Sequence, residues 1–141
     1  MADSHKYSFF GQNIGLLISS SSKHNPFIYM QCIKRKSGGN WEKPSNGEGR
    51  VIKFSLEEII SILCVLNHKK EYWKSNHFYN DMETKIHINW EDKKYDKLWI
   101  TVANYSKLLN YAQAEILKIL LKHILEEKIQ FSTSSSKKID V

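Results

Sequence analysis

Five cations and one indole fall within KRKSGGNWEKPSNGEGR, the segment from Lys34 to Arg50. Lys34, Arg35 and Lys36 lead into a Gly-Gly turn, Trp41 and Lys43 follow, and a second turn-rich run closes on Arg50. Ammonium and guanidinium groups attract anions, while an indole offers a flat apolar face. Together they suit a partner that is charged and planar at once. The plainer alternatives are a solvated loop, lysines that keep an edge strand from aggregating, and an indole folded back over the core. Charge is skewed the same way. Residues 1–70 hold ten Lys/Arg against five Asp/Glu, and residues 71–141 hold eleven against ten. A polyanion is therefore drawn to the N-terminal half.

Other chemistry is sparsely represented. The histidines, His5, His24, His68, His77, His87 and His123, form no His-x-x-x-His pair, and Cys32 and Cys64 form no Cys-x-x-Cys. Metal-ligand spacing is absent, so the expectation is no metal and no cofactor. A Gly-rich phosphate loop and a G-x-S-x-G elbow are also missing, and Glu57-Glu58 and Glu126-Glu127 read as helix-cap or helix-face acids. The expectation is a binding protein rather than an enzyme, with no small-molecule substrate. Each cysteine sits in an apolar run and reads as a buried, reduced thiol. The polar start MADSHKYS has no signal-peptide pattern, and no apolar run reaches the ~18–20 residues that span a bilayer. An intracellular protein without a membrane span is expected.

These residues need a scaffold. With 141 residues, 41% apolar and 26% charged, the chain can bury one core. Alternation puts Ile14, Leu16 and Ile18 on one face of a strand over Asn13–Ser20. In Phe27–Lys36 it sets Ile28, Met30 and Cys32 against Phe27, Tyr29 and Gln31. In Arg50–Leu56 it sets Ile52, Phe54 and Leu56 against Val51 and Lys53. Ser55-Leu56-Glu57-Glu58 fits a capping box, and Ile59, Ile62, Leu63 and Leu66 continue at helical spacing to an end near Asn67–Lys70. Three more strands follow over Glu71–Tyr79, Thr84–Glu91 and Lys97–Tyr105, the last two joined by the EDKKYD turn. Asn110 to Gln113 again fits a capping box, opening a helix with the stripe Leu117, Leu120, Leu121, Ile124 and Leu125. The predicted class is α+β: two antiparallel sheets, each followed by a helix, in two halves of about 60 residues. Residues 1–131 are expected as one domain, and the Ser/Lys-rich residues 132–141 as a disordered tail.

The segments NWEKP, GRVIKFSL and EEIISIL carry a family pattern. A tryptophan after a basic loop, a basic residue, a strand and Ser-Leu-x-x-x-Glu-Ile-x-x-Ile into the first helix resemble the Whirly family of single-stranded-DNA-binding proteins. That wider group includes positive cofactor four. Trp41, Lys43, Leu56, Glu58, Ile59 and Ile62 fall on the pattern, with looser matches at Phe10, Gly11, Leu16 and Glu115, over residues 7–128. The resemblance implies a strands–helix–strands–helix fold, single-stranded DNA as ligand and association through the helices. It does not extend to the plant Lys-Gly-Lys-Ala-Ala-Leu segment, replaced here by FFGQNIGLL, or to the His-Asp-Pro motif, of which HFYND is an echo.

The residues point to the same ligand class, because single strands are held by cations along phosphates and by rings under bases. The outward strand positions are Phe27, Tyr29, Gln31, Lys53, Lys85, His87 and Trp99. Stacking is assigned to Tyr29, Trp41 and Trp99, and phosphate contact to Lys34, Arg35, Lys36, Lys43, Arg50 and Lys53, with Gln31 on the same face. The expected protein binds single-stranded DNA with low sequence specificity, in transcription regulation or genome maintenance, as a homodimer at least. RNA is the other nucleic-acid reading. A protein–protein adaptor is the alternative from another class, separable because oligo(dT) would not quench its tryptophans.

Overall fold

A computed structural model describes residues 4–134. The chain runs β1 (His5–Phe10), β2 (Ile14–Ser20), β3 (Phe27–Lys34), a 3-10 turn at Pro44–Asn46, β4 (Arg50–Ser55), α1 (Leu56–Leu66), β5 (Tyr72–Tyr79), β6 (Met82–Trp90), β7 (Lys97–Val102), β8 (Tyr105–Asn110) and α2 (Tyr111–Thr133). The expected α+β plan holds, with one strand added to each sheet. Each sheet has four antiparallel strands in chain order, β1-β2-β3-β4 and β5-β6-β7-β8, rather than three.

The extra strands are β1 and β8. In β1 the inward positions are His5, Tyr7 and Phe9, of which only Phe9 is fully buried, so the apolar signal is weak. The β7–β8 turn uses Ala103 at φ 55°, in place of the glycine or asparagine that marks such hairpins in a sequence. The β5–β6 turn is more conventional, with Asn80 and Asp81 both left-handed.

Both capping boxes form. Ser55 Oγ accepts from the Glu58 amide while the Glu58 carboxylate accepts from the Ser55 amide, and Asn110 and Gln113 repeat the arrangement. One core joins all layers: Ile18, Ile28 and Phe54 from the first sheet, Ile86, Ile88 and Ile100 from the second, and the inner faces of α1 and α2. Trp90 Nε1 donates to the Val65 carbonyl at 2.6 Å, locking β6 to the end of α1. Cys32 is buried as expected, and burial pushes its thiol up to about 12, whereas Cys64 is only half-buried. The last helix continues through Ser132 and Thr133, which the sequence reading placed in the tail. Residues 135–141 lie outside the described part.

Candidate nucleic-acid interface

Period-2 alternation fixes the outer face of the first sheet. Register places Lys6, Ser19, Tyr29 and Lys53 in one row across the strands, and Ser8, Leu17, Gln31 and Val51 in the next. Tyr29 stands edge-on to Phe27 at 5.3 Å, and Lys53 Nζ lies 4.2 Å from the Phe27 ring centre. A third row carries Phe10 across Gly15. A Cβ at Gly15 would meet that ring at 2.7 Å, so only glycine lets Phe10 lie flat there. Trp41 packs edge-on to Phe10 at 5.0 Å. The indole therefore joins the outer face and does not close over the core.

Beside this face the first sheet meets the β5–β6 turn, and a groove of about 610 Å³ opens between them. Its walls include Tyr29, Val51 and Lys53 on one side and His77, Phe78 and Tyr79 on the other. Phe78 and Tyr79 are 72% and 79% exposed, which is unusual for rings with no role outside the fold. The groove has a rigid base. His77 Nε2 is 2.7 Å from Glu58 Oε2, and Ser75 Oγ donates to the same oxygen at 3.1 Å. Glu58 thus caps α1 with one oxygen and fixes the groove wall with the other.

The basic segment forms a second, more ordered region than its composition suggests. Arg35 and Trp41 pair as a β-bridge, and the Glu42 amide donates to the Lys34 carbonyl at 2.9 Å, so the chain extends β3 as a hairpin. Lys36 is ion-paired with Glu48, whose other oxygen accepts from the Lys43 amide at 2.8 Å. The Lys36 bond, helped by that amide, holds the Glu48 carboxyl below its ordinary range. Arg35 and Lys43 are exposed, and their side chains are in no ion pair among the described residues. A recess of about 440 Å³ beside Trp41 is lined by Lys36, Asn40 and Lys43.

Two of the sequence-assigned cations are turned elsewhere. Lys34 and Arg50 share the inward parity of Cys32 and Ile52, so they reach toward the second sheet. Lys34 Nζ sits 4.7 Å over the Tyr105 ring, and Arg50 Nη1 donates to Thr84 Oγ1 at 2.9 Å. Tyr105 Oη donates to Glu42 Oε1 at 2.9 Å, and the Lys34 amide donates to the same oxygen. Burial first, then the Glu42 carboxylate, push the Tyr105 phenol up to about 12. This cluster ties the basic hairpin to β8. Trp99 is set apart as well. It occupies the outer face of the second sheet between Asn89 and Leu108, its Nε1 donating to Glu91 Oε1 at 3.1 Å.

The structure therefore gathers Tyr29, Gln31 and Lys53 on one face, with Arg35, Lys36, Trp41 and Lys43 on the adjoining hairpin. It adds Lys6, Phe10, Phe78 and Tyr79, which sequence reasoning passed over. The sign for the last pair was available: two aromatics before an Asn-Asp turn, too exposed a place for core residues.

Two four-stranded antiparallel sheets, each followed by a helix and sharing one core, define the Whirly-like fold. The solved structures it is similar to include WHY3 from Arabidopsis thaliana (TM-score 0.69, 12% identity, 94% of this chain and 92% of that one). WHY1 from the same plant is comparable (0.67, 12%, 94% and 95%), as is the MRP1/MRP2 structure from Trypanosoma brucei (0.65, 12%, 92% and 87%). The sequence itself matches no family model and no curated protein. Among the described residues no helix is long and apolar enough to cross a membrane.

Proposed function

We propose that this chain is a non-catalytic protein that binds single-stranded nucleic acid, with single-stranded DNA of any sequence as its main ligand. The carrying observation is the groove between the first sheet and the β5–β6 turn, with Tyr29 on one wall, Phe78 and Tyr79 on the other and Lys53 at its edge. Rings on both walls suit an unpaired base, which a duplex keeps inside its own stack. Arg35, Lys43 and Lys6 supply cations for the phosphates on either side. The resemblance of residues 7–128 to the Whirly family and the shared fold support the same ligand class.

In this reading residues 1–131 act as one intracellular unit serving transcription or genome maintenance. It pairs as a homodimer through the outer faces of α1 and α2, where Ile60, Ile116 and Ile119 are 48%, 38% and 64% exposed. The test is a titration of labelled dT and rU oligomers and a duplex at two salt concentrations, followed by anisotropy. Tight dT binding that weakens with salt at about −0.7 per phosphate contact, with duplex bound far less, is the expected result. Equal binding of duplex, or none of any, overturns the proposal. Preference for rU reassigns the ligand to RNA.

A further inference from the structure

The start of β1 and the middle of α2 bring together a group that lies outside the nucleic-acid face. His5 Nε2 is 2.9 Å from Glu127 Oε1, and His123 Nε2 is 3.4 Å from Glu127 Oε2. The imidazole rings meet edge-on at 5.1 Å, and one donor atom from each of the three residues lies within 4.8 Å of the others. His123 and Glu127 are one helical turn apart, whereas His5 arrives from 122 residues away, which is why no spacing rule finds the group.

Two further observations belong to the same place. Ser20, directly opposite His5 on the neighbouring strand and on the same face, is 3% exposed. Its Oγ is the buried side-chain oxygen without a hydrogen-bond partner among the described residues. A recess of about 290 Å³ opens beside the group, lined by Ser4, His5, Ser20 and Ser21 and, toward the outer face of the sheet, by Lys6, Ser19 and Tyr29. Lys128, the next residue along α2, has its Nζ donating to the Ser22 and Asn25 carbonyls at 2.6 Å each.

We infer that His5, His123 and Glu127 form a divalent transition-metal site, suited to zinc or nickel, that clips β1 to α2. Two imidazoles and one carboxylate are the donor set such ions prefer, and magnesium and calcium do not. Zinc bonds of about 2.0–2.2 Å place tetrahedral ligand atoms roughly 3.3 Å apart. The two His–Glu separations, 2.9 and 3.4 Å, run to different oxygens of the one carboxylate, so the ion is held between both oxygens and the two nitrogens. The remaining closure falls to His123, whose side chain is 58% exposed and free to change rotamer. Each imidazole must then present a bare Nε2, its proton on Nδ1, so the metal replaces the His5–Glu127 hydrogen bond and the longer His123–Glu127 contact. Water fills the open positions, and the unpartnered Ser20 Oγ, on the same face as His5, offers such a water a hydrogen bond.

The full chain, stripped with chelator, is titrated with zinc chloride, nickel chloride and magnesium chloride by calorimetry and thermal melting. One zinc or nickel per chain is expected, with no magnesium uptake and a midpoint raised on the order of 5–10 °C at a hundredfold excess over Kd. His123→Ala, at an exposed position, and Glu127→Gln each weaken binding at least about tenfold. His68→Ala and Cys64→Ser leave it unchanged. No saturable uptake, or uptake equally tight in His123→Ala and Glu127→Gln, overturns the site and leaves two histidines sharing a carboxylate.

Discussion

Replacing Tyr29 by alanine separates stacking from every other contribution. The ring is on the outer face, beside Ser19 and Lys53 in register and edge-on to Phe27, so its loss opens no core cavity. A cross-strand position of this kind contributes roughly 0.2–1 kcal/mol to stability. One stacked base contributes roughly 1–3 kcal/mol to binding, which is about a 5- to 150-fold change in Kd. The ring is uncharged, so the salt slope must stay where it was, whereas Lys53→Ala should flatten it by about 0.7. Tyr79→Ala on the opposite wall should cost a similar amount. If both rings hold the same base, the double variant loses less than the two single losses together. The assay is anisotropy of a labelled dT oligomer at four salt concentrations, with circular dichroism to verify folding. A folded Tyr29→Ala protein with parental affinity removes the groove from the binding surface. A changed slope would mean that the ring orders cations rather than stacking.

Three other outcomes follow from named contacts. Glu48→Gln frees Lys36 from its partner and should tighten oligo(dT) binding by a few fold at low salt and not at high salt; unchanged affinity at low salt would place Lys36 outside the site. Glu58→Ala removes the carboxylate half of the α1 capping box and strands Ser75 and His77, so stability should fall by roughly 1–3 kcal/mol in urea titration, and a fall below about 0.5 kcal/mol would contradict the role of Glu58 as a shared anchor. Tyr105 is raised from 10 to about 12, so the folded state holds this proton more tightly than the unfolded one. Its contribution is whole below pH 10 and declines as pH climbs toward 12. Tyr105→Phe should cost stability at pH 8, and the gap to the parent should narrow by pH 11.5; a constant gap would refute the assignment.

The elements that were legible in the sequence are those whose local rules and burial agree. Ser55/Glu58 and Asn110/Gln113 announce both helices because a capping box is settled within four residues. Ile28, Met30 and Cys32 announce β3 because three successive inward positions are apolar. In β8 that agreement fails: the inward parity of Tyr105 and Leu109 includes Lys107, and the strand is entered through an alanine forced to positive φ. Lys107 shows what the exception costs. Its ammonium is held partly out of water beside Gly11, and burial lowers its proton affinity. A lysine on a core face is a tertiary fact that no period can signal.

The same limit divides the candidate site. Alternation alone tells that Tyr29, Gln31 and Lys53 share a face, and it equally tells that Lys34 and Arg50, at the parity of Cys32 and Ile52, do not. Read as a charge cluster, KRK looks uniform; read as the end of a strand, its first lysine turns inward to Tyr105 and only Arg35 and Lys36 follow the hairpin. Glu42 and Glu48 sharpen the division, since one anchors the hairpin to β8 and the other neutralises Lys36. Net charge thus overstates what is available to a phosphate, and the exposed rings of Phe78 and Tyr79, contributed by the other sheet, carry more of the case than the basic run does. A ligand that followed charge alone would sit on the hairpin. One that also needs flat apolar faces must reach the groove, and that is why the Tyr29 and Tyr79 variants, rather than charge reversals, decide between a single strand and any other polyanion.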